Sequence, residues 1–128
     1  MEIRTRRIYD PPTALDGTRN LVDGLWPRGT SKQQARLDGW RRELAPSKAL
    51  RQWFAHDSSR WEGFKERYFA ELDAKQEALS ALAQNSCDGP LTLLFAARDP
   101  AHNNAVALRE YLLQASKRSV EEIVEEPE

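Results

Sequence analysis

A short apolar run near the end of the chain places the strongest constraint on its fold. Residues 91–96 follow the turn signal Gly89-Pro90 and carry apolar side chains at both odd and even positions. Because successive side chains of a strand point to opposite faces, such a strand needs cover on both sides. The pattern is typical of a strand in a sheet with helices on both faces, and it predicts an α/β domain.

Two further segments have the character of strands. Residues 18–23 follow an Asp-Gly turn signal and end on the carboxylate of Asp23. Residues 3–9 form a weaker candidate, because Ile3 and Ile8 point to opposite faces. The proline-containing link between these two segments is too short for a parallel crossover, so they are antiparallel if they are neighbours.

Four helices are predicted from capping residues and from apolar residues at three-to-four spacing. Ser47 is the N-cap of one helix. A capping box beginning at Ser59, or alternatively Asp57, opens the longest, which ends near Asn85. Asp99 caps another, with a proline at its first position, and a shorter helix lies within residues 31–40. The prediction is a compact three-layer α/β domain with a short, mainly parallel sheet flanked by about four helices.

The length and charge of the chain suit one soluble domain. The 128 residues include 19 Lys and Arg against 20 Asp and Glu, a formal net charge of −1. This balance disfavours a general nucleic-acid binder, although it combines a basic first half with an acidic second half. We predict one α/β domain over residues 1–117 and an acidic C-terminal tail over residues 118–128.

The remaining composition indicates a cytoplasmic protein. No apolar stretch is long enough to cross a membrane, and the first residues lack the apolar core of a signal peptide. Cys87 is the only cysteine, which fits a reducing compartment. Its surroundings contain no evident activating base, so we interpret it as a bystander thiol in a loop.

The first candidate site segment is residues 22–32, which begin where a predicted strand ends. Open α/β sheets bind their ligands at this end of the strands. A type I turn with Trp26 first and Gly29 fourth would hold the Arg28 guanidinium outward for a bidentate contact with an oxyanion. The alternative is a rigid turn in which Trp26 lies in the core and Arg28 pairs with a carboxylate.

The second candidate segment, residues 97–104, also follows a strand and opens a helix. Arg98 is a candidate anion ligand, with a salt bridge at the strand end as the alternative. Asp99 is explained as an N-cap, and His102 and Asn103 place hydrogen-bonding groups in the first helical turn. The helix N-terminus favours a neutral His102 imidazole over its cation, and a general-base role for this residue remains open.

Together the two segments predict a pocket at the C-terminal edge of the sheet that binds a small anionic or phosphate-bearing ligand. Arg28 and Arg98 would clamp the anion and Asn103 would orient it, while Asp23 or His102 would handle a proton if a reaction occurs. The residues do not decide whether this protein is an enzyme, and no motif calls for a cofactor.

Three alternatives stay open. A non-enzymatic interaction or regulatory module for a protein or nucleic-acid partner is one, with Arg36, Arg41 and Arg42 near Trp40 as possible phosphate contacts. In the second, the site arginines only pair with aspartates and lock the loops; the candidate partners are Asp10, Asp23 and Asp38. The third, a metal site, lacks the ligand spacing that zinc or a transition metal requires, so no metal is predicted. Its imagined ligands are His56, Asp57, His102 and Asp23.

The order of several motifs resembles one family. They are Arg7-x-Tyr9-Asp10, Asp16-Gly17-x-Arg19-x-Leu21-Val22-Asp23, Leu25-Trp26-Pro27-Arg28-Gly29, Leu37-Asp38-x-Trp40, Glu43-Leu44-Ala45-Pro46-Ser47, Trp53-Phe54-x-His56-Asp57, Leu93-Leu94-x-Ala96-Ala97-Arg98-Asp99 and His102-Asn103-x-Ala105-Val106-x-Leu108. Over residues 4–113 the chain is similar to the YeaO-like family, domain of unknown function 488. The resemblance implies a small single-domain bacterial cytosolic α/β protein and no particular reaction. Relatives commonly have Arg where this chain has Gly24, which implies a weaker or differently shaped site if that Arg binds an anion.

Overall fold

One parallel sheet organises the chain. The computed structural model describes residues 2–86 and 89–125, with side chains described as far as residue 116. The strands in chain order are β1 (Ile3–Arg7), β2 (Thr18–Leu21), β3 (Gly39–Trp40) and β4 (Leu91–Phe95). Their order across the sheet is β1-β4-β2-β3, and every neighbouring pair is parallel. The predicted α/β domain with a mainly parallel sheet is confirmed.

β4 lies inside the sheet and is covered on both faces. It pairs with β1 on one side and with β2 on the other, and all five of its residues are buried. Leu93 and Phe95 join the larger apolar core, whereas Leu94 joins the core on the opposite face. The strand predicted from residues 91–96 is therefore confirmed, together with its need for cover on both sides.

Five α-helices and the loops between them supply that cover. They are α1 (Lys32–Ala35), α2 (Lys48–Phe54), α3 (Trp61–Asp73), α4 (Gln76–Gln84) and α5 (Asn104–Glu125). The helices α2–α5 contribute to the larger core, while α1 covers the other face with Trp26 and Trp40. In the described part of the chain, no helix is long and apolar enough to span a membrane.

Two of the predicted helix starts are confirmed by their caps. The Ser47 hydroxyl accepts a hydrogen bond from the backbone N–H of Leu50 and opens α2. The Ser31 hydroxyl accepts one from the backbone N–H of Gln34 and opens the short helix α1 predicted within residues 31–40. Each hydroxyl satisfies a donor that has no partner inside the helix, which stabilises the helix end.

The first two strands are not neighbours, because β4 inserts between them. Both run parallel to β4, so the antiparallel pairing considered for them does not arise. Residues 8–17 connect them without a crossover helix and contain a single 3₁₀ turn at Ala14–Asp16. Ten residues reach about 33 Å when extended, enough to return along a strand of about 17 Å.

The longest predicted helix is interrupted. The structure contains α3 and α4 instead, with Ala74 and Lys75 outside helical geometry between them. The Lys75 ammonium donates to the Ala45 carbonyl at 3.2 Å, and the Gln76 amide donates to the hydroxyl of Tyr111 at 3.1 Å. Apolar spacing continues through the break, with Leu79 buried in α4, so periodicity alone could not reveal it.

Of the two predicted starts before α3, the structure has Asp57 as the capping residue and not Ser59. The Asp57 carboxylate accepts from the backbone N–H of Ser59 and begins a 3₁₀ turn at Ser58–Arg60, after which α3 follows. Asp57 is therefore the capping residue here.

The acidic tail predicted over residues 118–128 lies beyond the last described side chain. The backbone of α5 is helical as far as Glu125, so it continues through most of the predicted tail over residues 118–128. Cys87, predicted to be a bystander thiol, lies outside the described residues, and the division at residue 117 stays a prediction.

Candidate functional site

A cleft of about 380 Å³ lies at the C-terminal edge of the sheet, where the sequence predicts a pocket. Its walls come from the segment after β2, the helices α2 and α3, and the segment between β4 and α5. The lining residues are Asp23, Gly24, Leu25, Trp26, Pro27, Pro46, Arg51, Phe54, His56, Phe64, Ala96, Ala97, His102, Asn103 and Asn104. Most of these side chains are apolar, so the few polar groups define the chemistry of the cleft.

Two polar side chains join the strand ends. The carboxylate Oδ2 of Asp23 accepts a hydrogen bond from the Ala96 backbone N–H at 2.9 Å. The Asn104 amide donates to the Val22 carbonyl at 2.8 Å. These contacts connect the segments that follow β2 and β4 with the first residue of α5. Asp23 and Asn104 therefore hold the backbone of the cleft in place.

Burial raises the pKa of Asp23 above its ordinary value. Removing the carboxylate from water disfavours its charged form. The Ala96 N–H, the Asn104 side chain and the charge of Arg51 favour the carboxylate, but burial outweighs them. A carboxyl group whose pKa is raised in a cleft is the kind of group that can exchange a proton, as predicted for Asp23.

Arg51 is the cation of the cleft, and sequence reasoning did not identify it. It lies in α2, four residues after the Ser47 cap, and its charge acts on Asp23. Arg51 is exposed like Arg28 and Arg98, but it lines the cleft. Within the described part of the chain no hydrogen bond or ion pair involves its guanidinium, so its donors are available. The only sequence signal was an arginine within the apolar stretch that ends in Trp53 and Phe54.

His102 lines the cleft and is oriented by a carboxylate. Its Nδ1 atom lies 2.9 Å from Oδ2 of Asp99, and its ring meets the Trp61 ring edge-on at 5.3 Å. Hydrogen bonds from Ala101 and His102 lower the pKa of Asp99. An ionised carboxylate only accepts, so Nδ1 carries a proton and Nε2 is the nitrogen left for a ligand.

The segment before α5 differs from the predicted helix start. Asp99 accepts from the backbone N–H groups of Ala101 and His102, but α5 itself begins at Asn104. Asn103 is the capping residue, since its Oδ1 accepts from the Val106 N–H and its amide donates to the Asp99 carbonyl. Asn103 lines the cleft, yet both of its polar atoms already bind backbone.

The two predicted anion ligands, Arg28 and Arg98, are exposed and are not among the residues that line the cleft. Their preceding residues, Pro27 and Ala97, do line it. In the described residues neither arginine forms an ion pair, so the alternative of structural pairing with Asp10, Asp23 or Asp38 also finds no contact. The clamp formed by the two arginines stays a prediction.

The turn that carries Arg28 is shifted by one residue from the prediction. Its central residues are Arg28 and Gly29, and Gly29 has a φ of 80°. A left-handed φ at the third turn position is the requirement of a type II turn, which glycine meets without strain. The Trp26 indole donates to the Thr30 carbonyl at 2.9 Å, and the Tyr9 hydroxyl donates to the Arg28 carbonyl at 2.8 Å. These two hydrogen bonds hold the loop at both of its ends.

Gly24 borders the charged part of the cleft. A Cβ atom at this position would lie 3.4 Å from the Ala45 Cβ and 3.9 Å from the Arg51 guanidinium carbon. The backbone at Gly24 does not require glycine, because its φ is not left-handed. A Cβ atom at this position would therefore make ordinary van der Waals contacts with Ala45 and Arg51.

Arginines proposed as phosphate contacts near Trp40 are engaged within the domain. Arg41 donates to the Asn20 side chain at 3.1 Å, and the Arg42 guanidinium lies 4.7 Å from the centre of the Trp40 ring. Both are therefore accounted for by internal packing.

The remaining histidine also lines the cleft. His56 follows the end of α2 with a left-handed φ of 57°, and its neighbour Ala55 has a φ of 46°. Among the described residues, no group of three or more His, Cys, Asp or Glu side chains could hold a metal ion.

The fold and the cleft define a small parallel α/β protein with a ligand-sized cleft at the carboxyl ends of its strands. The family model described as the inactive DUF488-N3 subclade matches residues 2–127. The chain therefore belongs to the DUF488 family.

Relatives from other bacteria are described as uncharacterised proteins. The chain is 40% identical to the uncharacterised protein YeaO of Escherichia coli (strain K12), over 88% of this chain and 97% of that protein. It is 36% identical to uncharacterised proteins of Mycobacterium tuberculosis (strain H37Rv) and Mycobacterium bovis, over 86% of this chain and 92% of each. No solved structure matches the chain significantly.

Proposed function

We propose that this protein binds a small anionic ligand in the cleft and catalyses no reaction on it. The observation that carries the proposal is the Arg51 guanidinium, which lines a mainly apolar cleft and has no bonded partner in the described residues. Charges interact more strongly beside apolar protein surface than in open water. A guanidinium can also donate two parallel hydrogen bonds to one carboxylate or phosphate.

The other polar groups of the cleft support binding over catalysis. Asp23 and Asn103 are bonded to backbone groups that shape the cleft, so their hydrogen bonds maintain its structure. His102 keeps Nε2 for a hydrogen bond to the ligand. Membership of a subclade described as inactive favours the same interpretation.

Arg28 and Arg98 have a secondary part in this proposal. Both are exposed next to lining residues, and exposed cations raise the local concentration of anions through long-range attraction. Their substitution should slow association slightly and reduce its dependence on salt, because the long-range attraction that salt screens is then smaller.

Isothermal titration calorimetry of the full chain tests the proposal. The probes are inorganic phosphate, adenosine monophosphate, ribose 5-phosphate, acetate and 3-phenylpropionate. We expect at least one anion to bind and Arg51→Gln to weaken its affinity by about tenfold or more, as expected for a lost charge-assisted hydrogen bond.

Arg67→Gln is the matched control. Arg67 also lies on the helical layer, but its guanidinium stacks 3.7 Å from the centre of the Trp53 ring and is not part of the lining. The affinity of Arg67→Gln for each anion should equal that of the unmodified protein. The proposal is wrong if no anion binds, or if Arg51→Gln binds as tightly as the control.

A further inference from the structure

The cleft rests on an array of aromatic rings. The Phe54 and Phe64 rings lie 4.6 Å apart, and Phe64 stacks on Trp61 at 5.6 Å. Trp61 in turn meets the His102 ring. Phe64 is only 2% exposed, so this array is a rigid part of the core that presents one edge to the cleft. A flat apolar group bound there would gain contact with preformed rings.

Few hydrogen-bonding groups remain for a ligand. Asp23, Asn103 and Asn104 are bonded to the backbone, which leaves the Arg51 guanidinium, Nε2 of His102 and the ring nitrogens of His56 as the principal free groups in the described lining. A sugar phosphate would bring several hydroxyls into this cleft. Each polar group buried without a partner loses its hydrogen bonds to water, so such a ligand would be disfavoured.

The charges of the lining also limit the charge of the ligand. Arg51 contributes one positive charge, and the Asp23 carboxylate lies close enough for the two to attract each other. A dianion beside Arg51 would experience the repulsion of Asp23 more strongly than a monoanion would. The arrangement therefore suits a single negative charge.

We infer that the ligand is a monocarboxylate with an aromatic body, whose carboxylate binds Arg51 and whose ring packs beside Phe54 and Phe64. This inference rests on the proposed anion-binding function and names its ligand class. The cleft volume of about 380 Å³ accommodates a ring with a short acidic side chain.

The test compares four probes by calorimetry with the full chain at neutral pH: 3-phenylpropionate, 3-phenylpropanol, ribose 5-phosphate and inorganic phosphate. The carboxylate should bind at least about tenfold more tightly than the alcohol, which has the same ring without the charge. The affinity of the carboxylate should exceed the affinities of both phosphates by a similar factor. Arg51→Gln should remove the advantage over the alcohol and leave the affinity for the alcohol unchanged.

Phe54→Leu tests the contact with the ring. Leucine keeps an apolar side chain at the site, so the fold is retained at a modest cost in stability. The variant should bind 3-phenylpropionate several-fold more weakly and bind acetate with unchanged affinity.

The outcomes separate the two proposals. Tighter binding of the phosphates, lost in Arg51→Gln, would overturn the inference and retain the anion-binding function. Equal binding of alcohol and carboxylate would overturn the inference, and no binding of any anion would overturn both.

Discussion

Oδ2 of Asp16 lies 2.5 Å from Nη1 of Arg19, and the two side chains are almost completely buried. Oδ1 of the same carboxylate accepts from Arg6 at 2.9 Å. Arg19 also donates through Nε and Nη2 to the carbonyl of Ala35, the last residue of α1. One buried carboxylate therefore connects β1 and β2, and its arginine partner connects them to α1.

Replacing Asp16 by asparagine should destabilise the domain strongly. The change leaves the buried Arg19 guanidinium without its counter-charge, which typically costs about 3–5 kcal/mol. Urea denaturation at pH 7 measures the free energy of unfolding. The control is Glu62→Gln, because Glu62 is exposed and its ion pair with Lys65 should contribute less than about 1 kcal/mol. Equal losses in the two variants would contradict the importance of the buried pair.

The stability provided by Asp16 should depend on pH. Burial raises its pKa, but hydrogen bonds from Thr13, Arg6 and Arg19 outweigh burial and lower the pKa from 3.8 to about 2. A lowered pKa contributes stability above the unfolded-state value, and that contribution is lost as pH falls from 3.8 through about 2. The shift corresponds to about 2 kcal/mol. The difference in unfolding free energy between the unmodified protein and Asp16→Asn should therefore narrow between about pH 5 and pH 2. It narrows because the Asp16 carboxylate becomes protonated over this range. A difference that stays constant over this range would refute the assignment.

The contribution of Asp23 to stability should change with pH in the opposite direction to that of Asp16. Burial raises its pKa, so its protonated form stabilises the fold at low pH, and this contribution is lost as pH rises through the raised pKa. Asp23→Asn removes the charge and keeps an oxygen that can accept from the Ala96 N–H. Its midpoint of thermal unfolding should exceed that of the unmodified protein at pH 7, and the gain should shrink at pH 3. A lower midpoint at pH 7 would show that attraction to Arg51 outweighs burial.

Two glycines with left-handed φ should respond differently to substitution by alanine. The φ values are 64° for Gly17 and 80° for Gly29. A Cβ at Gly17 would lie 2.1 Å from the Pro90 carbonyl oxygen, whereas a Cβ at Gly29 would have no atom within 4 Å. Gly29→Ala should cost only the backbone penalty of about 1–2 kcal/mol. Gly17→Ala should cost at least about 2 kcal/mol more, because the backbone of Pro90 must move. Chemical denaturation of both variants checks the difference, and equal losses would disprove the steric explanation.

Adding a cation at Gly24 should change the preferred anion. Gly24→Arg places a second guanidinium beside Arg51, which favours a dianion over a monoanion. Calorimetry with inorganic phosphate should show an affinity increase of about tenfold, equivalent to one charge-assisted hydrogen bond. Gly24→Gln is the control for side-chain size, and it should leave phosphate affinity unchanged. An equal increase in both variants would exclude charge as the cause.

Three of the four strands and the position of the cleft could be predicted because their signals are local. β3 has only two residues and lies in the segment where the short helix was predicted, so no strand pattern indicated it. The run that forms β4 is apolar on both faces in the sequence itself, and the carboxyl end of a parallel strand is a general location for a ligand. Asp23, His102 and Asn103 follow from that location, and all three line the cleft.

The cation of the cleft could not be predicted in the same way. Arg28 and Arg98 flank the strand ends in sequence, but side-chain direction depends on the register of each turn, and a shift of one residue redirects the side chain. Arg51 reaches the cleft only because α2 packs across the strand ends. That packing depends on tertiary contacts of Phe54 and Phe64, which no pattern within α2 reports.

The position of β4 inside the sheet determines when the sheet can form during synthesis of the chain. β1 and β2 have no contact through backbone pairing with each other, and each waits for a partner strand that is synthesised some 70 residues or more after it. A nascent chain shorter than about 95 residues can form helices but cannot assemble this sheet, since its inner strand does not yet exist. The unpaired edges of β1 and β2 are then exposed on the ribosome until β4 emerges. The four-stranded sheet therefore assembles only after β4 has been synthesised, and truncation before β4 leaves only the two-residue pairing of β2 with β3.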